Sequence, residues 1–305
     1  MSKKTNITIA FRANIRILHL AQRFDLNFES PSDKEFSLFR LGERVYDHLL
    51  ILPAKSGGLR PVITTESLID FLDSKGNIIV VLSADYEIPL SLNSFLSELG
   101  IYLPTDRRSI VVDHFNHDLQ SSPGHHDTLL VSTSTAVKSY LKGYSGGDKI
   151  IAMPRAVGQI LDSSSPLTMS FLQASASAYS YNAREEFDIV EEPFGTGRQL
   201  SLVSAMQARN SARVAVIGSS SMIEDSWFDA KVKSRGSNAK RTGNFELISK
   251  VFGWTYKKFG VLKSGGIEHV LEGAQDEFPR HDSRDVQKIK PHIYRIKNHL
   301  VCLLY

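Results

Sequence analysis

Asn77 to Ser83 reads NIIVVLS, with five consecutive apolar residues from Ile78 to Leu82. A strand with one wet face alternates apolar and polar side chains. A short run without alternation is what a strand needs when helices cover both faces of its sheet. Upstream, Thr64 or Thr65 can cap a helix that carries Leu68, Ile69, Phe71 and Leu72 at helical spacing, and Gly76 stands where a C-terminal cap glycine belongs. Further back, Val45 to Leu52 (VYDHLLIL) reads as a buried strand stopped by Pro53 and the loose Lys55-Ser56-Gly57-Gly58 loop. Downstream, Leu90 to Leu99 places Leu92, Phe95, Leu96 and Leu99 on one stripe that ends at Gly100, and Ser109 to Asp113 (SIVVD) and Thr128 to Ser132 (TLLVS) are further short strands. Strands alternating with helices indicate βαβ units. The expected fold is therefore α/β, a mostly parallel doubly wound sheet with right-handed crossovers.

The second half is less regular. Ser163-Ser164-Ser165-Pro166 and Phe194-Gly195-Thr196-Gly197 are loop clusters, and Gln173 to Tyr181 (QASASAYSY) fits neither periodicity. Leu200 to Met206 and Ala212 to Gly218 (ARVAVIG) return as strands, separated by Ala208-Arg209-Asn210-Ser211 closely enough for a hairpin and an antiparallel sheet edge. Asn244 to Lys258 is an amphipathic helix with Phe245, Ile248, Phe252 and Tyr256 on its buried side, and Val261-Leu262 reads as a final strand. After Gly265-Gly266 the chain turns polar through Gln287, a linker by composition. His292 to Tyr305 then begins as an alternating strand and ends apolar, the expected start of a second domain whose remainder is absent. The organisation is thus a divergent segment over 1–24, an α/β domain over 25–266, a linker over 267–288 and an incomplete domain over 289–305.

The chain has 305 residues, 42% hydrophobic and 23% charged, enough apolar side chain for a sizeable core in roughly one or two domains. With 36 Lys and Arg against 33 Asp and Glu, the formal charge is +3, too small a surplus to indicate a nucleic-acid partner. One cysteine, Cys302, rules out an intrachain disulfide framework. Apolar runs stop far short of the roughly 20 residues a spanning helix needs. After the basic Lys3-Lys4 pair, Arg12, Asn14, Arg16 and His19 interrupt any signal-peptide core, so neither a leader nor a membrane anchor is legible.

The richest polar cluster is Asp113-His114-Phe115-Asn116-His117-Asp118, followed by His125-His126-Asp127. Histidines and carboxylates at the carboxyl end of a strand sit where doubly wound folds bind ligands. A metal-dependent hydrolase would take His114 and His117, with Asp113 or Asp127, as ligands. However, no helical i, i+4 pair fixes the two imidazoles on one face, and strand alternation points Asp113 and His114 apart. Local hydrogen bonding at a strand end is the simpler reading. Cys302 has no basic neighbour nearer than His299 to make it a nucleophile. Gly218-Ser219-Ser220-Ser221 could form a phosphate nest, but without GxGxxG or a P-loop lysine it reads better as capping serines. Lys231, Lys233, Arg235, Lys240 and Arg241 surround Gly236 in a basic loop, solvated by default, with contact to anionic headgroups or phosphates as the alternative. Trp227 and Phe228 just before it read as core anchors rather than stacking platforms, and Asn6-Ile7-Thr8 fits a glycan-acceptor sequon. The residues alone therefore stop at an α/β domain with no assembled active site.

Several segments resemble the DDOST-type subunit (the wheat-germ-agglutinin-binding-protein type) of the endoplasmic-reticulum oligosaccharyltransferase. They are Leu41 to Leu52 (LGERVYDHLLIL), Gly76 to Ser83 (GNIIVVLS), Val111 to Asp118 (VVDHFNHD) and Ala178 to Asn182 (AYSYN). Leu202 to Arg213 (LVSAMQARNSAR), Asp225 to Val232 (DSWFDAKV), Thr242 to Leu247 (TGNFEL) and Ile293 to Asn298 (IYRIKN) continue the series in the family's order, from about Phe24 to Asn298. The resemblance implies a luminal α/β domain of flavodoxin or glutamine-amidotransferase-like class, then a β-rich domain and a membrane helix. It implies a complex that transfers oligosaccharide from dolichyl diphosphate to the Asn of Asn-X-Ser/Thr. In that complex a large multi-spanning subunit, with a divalent metal, does the chemistry, and small membrane subunits are further partners. The DDOST-type subunit is structural or regulatory, so no catalytic, cofactor or metal residues carry over. Met1 to Arg23 matches neither the family's leader nor its first strand and helix, and the β-rich domain would be cut short at Tyr305. Loss of that strand would leave an unpaired edge or a gap in the sheet.

Overall fold

The computed structural model describes residues 25–29, 36–53, 63–105, 109–121, 124–133, 149–181, 192–258 and 299–304. The sequon at Asn6, the loop at Lys55 to Gly58, the expected strand at Val261-Leu262 and the polar linker all lie outside them. The central sheet is built from β1 (Asp25–Glu29), β2 (His48–Leu52), β3 (Asn77–Val81), β4 (Thr168–Gln173), β5 (Ser201–Gln207), β6 (Arg213–Ile217) and β7 (His299–Leu304). Their spatial order is β1-β7-β2-β3-β6-β5-β4. Neighbours from β1 to β6 pair in parallel, while β5 with β6 and β4 with β5 pair antiparallel.

This pairing revises two expectations and places one stretch that periodicity left unassigned. The terminal strand, expected to begin a second domain, lies inside the sheet as β7, with Leu300 to Leu304 in register with His48 to Leu52 on one side and His299 to Leu303 with Asp25 to Glu29 on the other. Ile110–Val112 and Thr128–Ser132 are strands but not members of the parallel sheet. They pair antiparallel with Tyr179–Tyr181 and Ile150–Pro154 in two small ladders. The reason lies in the connection, since a parallel crossover usually runs through a helix and the described residues between Val112 and Thr128 contain none. The stretch Gln173 to Tyr181, unassigned from sequence, is the end of β4, a turn, and the Tyr179–Tyr181 strand.

Helix α1 (Thr65–Asp73) starts in a capping box. The Ser67 N–H donates to Thr64 Oγ1 at 3.1 Å and the Thr64 N–H donates to Ser67 Oγ at 2.9 Å. It ends in a Schellman motif, with Gly76 N–H bonded to the Phe71 carbonyl and Lys75 N–H to that of Leu72. The left-handed position falls on Lys75, at φ +69°, one residue before the glycine expected there. Gly76 is required for space instead: a Cβ on it would lie 2.2 Å from the Phe71 ring. Helix α2 (Leu90–Glu98) buries Leu92, Phe95 and Leu96. Helix α3 (Asn244–Thr255) buries Leu247, Ile248, Val251, Phe252 and Trp254. Phe245, placed on the buried side by periodicity, is 36% exposed and reaches Phe228 only edge-on.

Every residue of β2, β3 and β6 is buried, and alternation divides them between two cores. Leu49, Ile51, Ile78, Val80, Val214 and Val216 pack with Leu68 and Phe71 of α1 and Phe95 of α2. Leu50, Leu52, Ile79, Val81, Ala215 and Ile217 pack with Ile248, Val251 and Phe252 of α3. The unalternating sequence run and the two-sided burial are thus one fact, as period-two geometry demands.

Three buried polar residues, His48, Asn77 and Arg213, sit at the start of these strands. His48 is 4% exposed, its ring stacks on Tyr256, and its Nδ1 meets Asn77 Nδ2 at 3.1 Å. Asn77 Oδ1 accepts the Arg213 N–H, which turns the amide nitrogen toward the imidazole and makes Nδ1 the acceptor. Burial first, then the nearby Arg44 and Lys257 cations, lower the His48 pKa to about 3.

Two stability measurements follow from this packing. Phe71→Ala should cost about 3–5 kcal/mol in denaturant unfolding, and a loss under about 1 kcal/mol would contradict its placement in a close-packed core. Between the ordinary histidine value of 6.5 and about 3, the unfolded chain binds a proton that folded His48 refuses. Folding stability should therefore fall as pH drops through that window, by about 1.4 kcal/mol per pH unit from this group. His48→Asn should flatten that slope, and an unchanged slope would show that His48 is not its source.

Candidate functional site

At the end of Ile110–Val112 the chain turns on Asp113, a fully buried residue. Its carboxylate accepts the Phe115 N–H at 2.8 Å, the Asn116 N–H at 3.0 Å and Asn116 Nδ2 at 3.1 Å. Ser177 Oγ donates to it at 2.9 Å, and Ser175 Oγ donates as well. A side chain closing its own turn is the usual habit of Asp; here it also ties that turn to the 174–178 segment. Burial pushes the Asp113 pKa up, but the hydrogen bonds from Ser175, Phe115 and Asn116 outweigh it and hold the carboxyl below its ordinary range.

Beside it three imidazoles meet. Exposed His114 bonds through Nδ1 to His126 and through Nε2 to the Tyr179 hydroxyl at 2.9 Å. Buried His117 donates from Nδ1 to the Asp113 carbonyl at 3.0 Å, and its ring lies 4.1 Å from that of His126. Desolvation, then the proximity of His117 and His114, lower the His126 pKa. Asp113 faces inward and His114 outward, as strand alternation requires. His114 spends both nitrogens, on His126 and a phenol, and His117 spends Nδ1 on a carbonyl. Among the described residues no group of three His, Cys, Asp or Glu side chains is arranged to hold a metal ion. The hydrolase alternative built on Asp113, His114, His117 and Asp127 thus finds no ligand set there.

The other candidates settle individually. Ser219 Oγ donates to the Pro154 carbonyl and accepts the Met222 N–H, tying down the start of the 3₁₀ turn Ser221–Ile223, whose N-cap residue Ser220 makes no side-chain cap hydrogen bond, contrary to the capping-serine expectation. Gly218 is needed because a Cβ there would lie 2.5 Å from the Val157 carbonyl. The basic loop is a hairpin, Lys231–Val232 against Lys240–Arg241, with Gly236 at φ +74° in its turn. Phe228 is buried, and Trp227 packs half-buried near Val232. Cys302 lies in β7, with backbone partners Phe28 and Leu50; its side chain is outside the described residues.

Sequence reasoning missed two groupings. Ser175, Ser177 and Tyr179 join the Asp113 turn from more than 60 residues away, with no spacing signal to announce it. Near the carboxyl ends of β3 and β6, Arg155, at φ +46°, pairs with Asp85 at 3.0 Å. There burial raises the Glu224 pKa, and Asp85 adds to the effect against a Ser226 hydrogen bond. The rule that open sheets gather polar groups at their strand ends could have pointed to this pair.

Comparison with known proteins gives a consistent picture. A family profile described as "OST48, N-terminal domain" matches residues 15–258. The 48 kDa subunit of dolichyl-diphosphooligosaccharide–protein glycosyltransferase from Danio rerio is 32% identical over 266 residues, 84% of this chain and 59% of that protein. Its Arabidopsis thaliana counterpart is 32% identical over 91% of this chain and 60% of its own length. The wbp1 subunit of Schizosaccharomyces pombe is 31% identical over 81% and 53%. The chain thus spans between half and three fifths of the length of these relatives. A solved structure titled "mmIFT52 N-terminal domain" superposes over 66% of this chain and 72% of that one, at 19% identity and a TM-score of 0.44, too loosely to carry an argument.

Asp113→Asn keeps the shape of the side chain but turns an amide nitrogen toward donors. It should cost about 1–3 kcal/mol of unfolding free energy for the donors left unsatisfied. His114→Ala, at the exposed rim, should cost under about 1 kcal/mol. Equal losses in the two variants would contradict the assignment of Asp113 as the anchor.

Proposed function

The chain belongs to the OST48 N-terminal-domain family, and from that premise we propose that it is a structural or regulatory, non-catalytic subunit of an oligosaccharyltransferase complex. That complex moves oligosaccharide from dolichyl diphosphate to the Asn of Asn-X-Ser/Thr during protein N-glycosylation. The observation that carries the reading is the extent of the match. It covers 15–258, and so takes in α1 to α3, β2 to β6 and the Asp113 turn. The chemistry of the polar cluster supports it. Asp113, His114 and His117 are committed to internal hydrogen bonds that lock a turn to its neighbours, the work of an architectural element.

On this reading the partners are the other subunits, the catalytic multi-spanning one and small membrane subunits among them. The body faces the lumen of the endoplasmic reticulum as part of a membrane complex. No helix among the described residues is long and apolar enough to cross a membrane. We read the sheet, with helices on both faces, as of flavodoxin or glutamine-amidotransferase-like class.

The test is to express the tagged chain in eukaryotic cells and identify what it carries through purification. The expected result is co-purification of the catalytic subunit, together with no transfer of lipid-linked oligosaccharide to an Asn-X-Thr peptide by the chain alone. Recovery without any transferase subunit, or turnover by the isolated chain, would overturn the proposal.

A further inference from the structure

The hairpin of Lys231–Val232 and Lys240–Arg241 has a charge pattern that its own fold does not explain. From Lys231 to Arg241 the sequence holds Lys231, Lys233, Arg235, Lys240 and Arg241 and no carboxylate, whereas the whole chain has an excess of only +3. All five basic residues are exposed. Lys231 stands directly opposite Arg241 in the ladder, and like charges so placed weaken a two-stranded pair. Lys233, two residues on, shares the face of Lys231. Asp229 holds Arg241 from outside the hairpin.

The ribbon is nevertheless fixed firmly to the body. Lys233 N–H donates to the Asp118 carboxylate at 2.8 Å, and its carbonyl accepts the Leu119 N–H at 3.1 Å. Thr242 Oγ1 donates to the Trp227 carbonyl at 2.7 Å, and Val232 is buried with Leu130 and Ala152. The backbone that carries the cations is therefore fixed, so its ordering entropy is not lost again when a counter-charge docks.

We propose that this hairpin is a docking surface for an Asp/Glu-rich, concave face of another protein subunit, an inference that rests on the reading of the chain as an accessory subunit. The distribution of charge selects this occupant over a bilayer. Lys231, Lys233 and Arg241 lie on one face. Lys240 pairs across from buried Val232 and lies on the other face, and Arg235 sits in the turn. The face that carries Val232 is packed on the body, and Lys240 is the exposed residue of that pair. A plane of headgroups meets the outward face alone, while a concave protein face reaches that face, Lys240 and the turn together. The turn residues Arg235-Gly236-Ser237-Asn238-Ala239 offer no large apolar side chain to insert into lipid. The Arg235 guanidinium fork suits bidentate pairing with a carboxylate, while Arg241 already pairs with Asp229.

The test uses the full chain, the variants Lys231→Glu/Arg241→Glu and Arg235→Glu/Lys240→Glu, and two probes, polyglutamate and phosphatidylserine vesicles. Thermal unfolding first identifies which variant folds as the native chain does, the second pair leaving the ladder's opposed residues intact. Binding to polyglutamate should weaken by roughly tenfold or more in either charge-reversed variant and with added salt, as for an electrostatic interface. Equal binding by native and reversed chains, no binding at low salt, or preference for vesicles over polyglutamate would overturn the proposal. In cells, loss of the catalytic subunit from a reversed variant that the native chain retains would support it. Equal retention would remove the hairpin as the docking surface while leaving the accessory role standing. A native chain that captures no subunit would instead overturn the accessory role, with the polyglutamate arm still deciding the hairpin.

Discussion

The structure depends on one constraint: β3 has no wet face. Ile78 and Val80 enter one core and Ile79 and Val81 the other, so both sides of the strand must be covered before either is stable. At about 25 cal/mol per Å² of apolar area removed from water, this two-sided burial is the dominant favourable term available to the fold. The helices serve it directly. α1 reaches the sheet with Phe71 because Gly76 leaves room for the ring, and α3 brings Ile248, Val251 and Phe252 to the opposite face. The neighbours β2 and β6 repeat the pattern, and β7 supplies the outer parallel partner of β2.

The polar features are secondary to that frame and placed by it. Asp113 can be buried because five donors converge on its carboxylate, two of them main-chain amides of its own turn. His48 can be buried because Asn77, itself fixed by the Arg213 amide, gives its Nδ1 a donor. Both arrangements favour one protonation state, ionised for Asp113 and neutral for His48, and both resist the other. Groups spent in this way position backbone. They are poorly suited to exchanging protons with a substrate, which is one ground for the accessory role we propose.

Legibility followed the physics of range. Local signals were readable: the unalternating run, the Thr64 cap, the helix stripes and the Ala208 to Ser211 connection with its antiparallel pair all lie within about a dozen residues of their cause. The near misses were local as well. Lys75 rather than Gly76 took the left-handed angle, because it is Lys75 that falls at the turn position of the Schellman motif, while the glycine makes room for Phe71. Phe245 rode the edge of α3 rather than its buried face. What could not be read was pairing across distance. Nothing in HLVCLL announces that it threads between β1 and β2, and nothing in QASASAYSY says that its serines close the Asp113 turn. The family resemblance supplied a functional expectation where side-chain chemistry offered none.

The decisive measurement is transferase turnover by complexes purified through this chain, native against His114→Ala/His117→Ala, normalised to the amount of chain incorporated. Unchanged turnover per complex is what an architectural body requires. Turnover abolished at equal incorporation would mean that these imidazoles take part in the reaction, and would contradict the account.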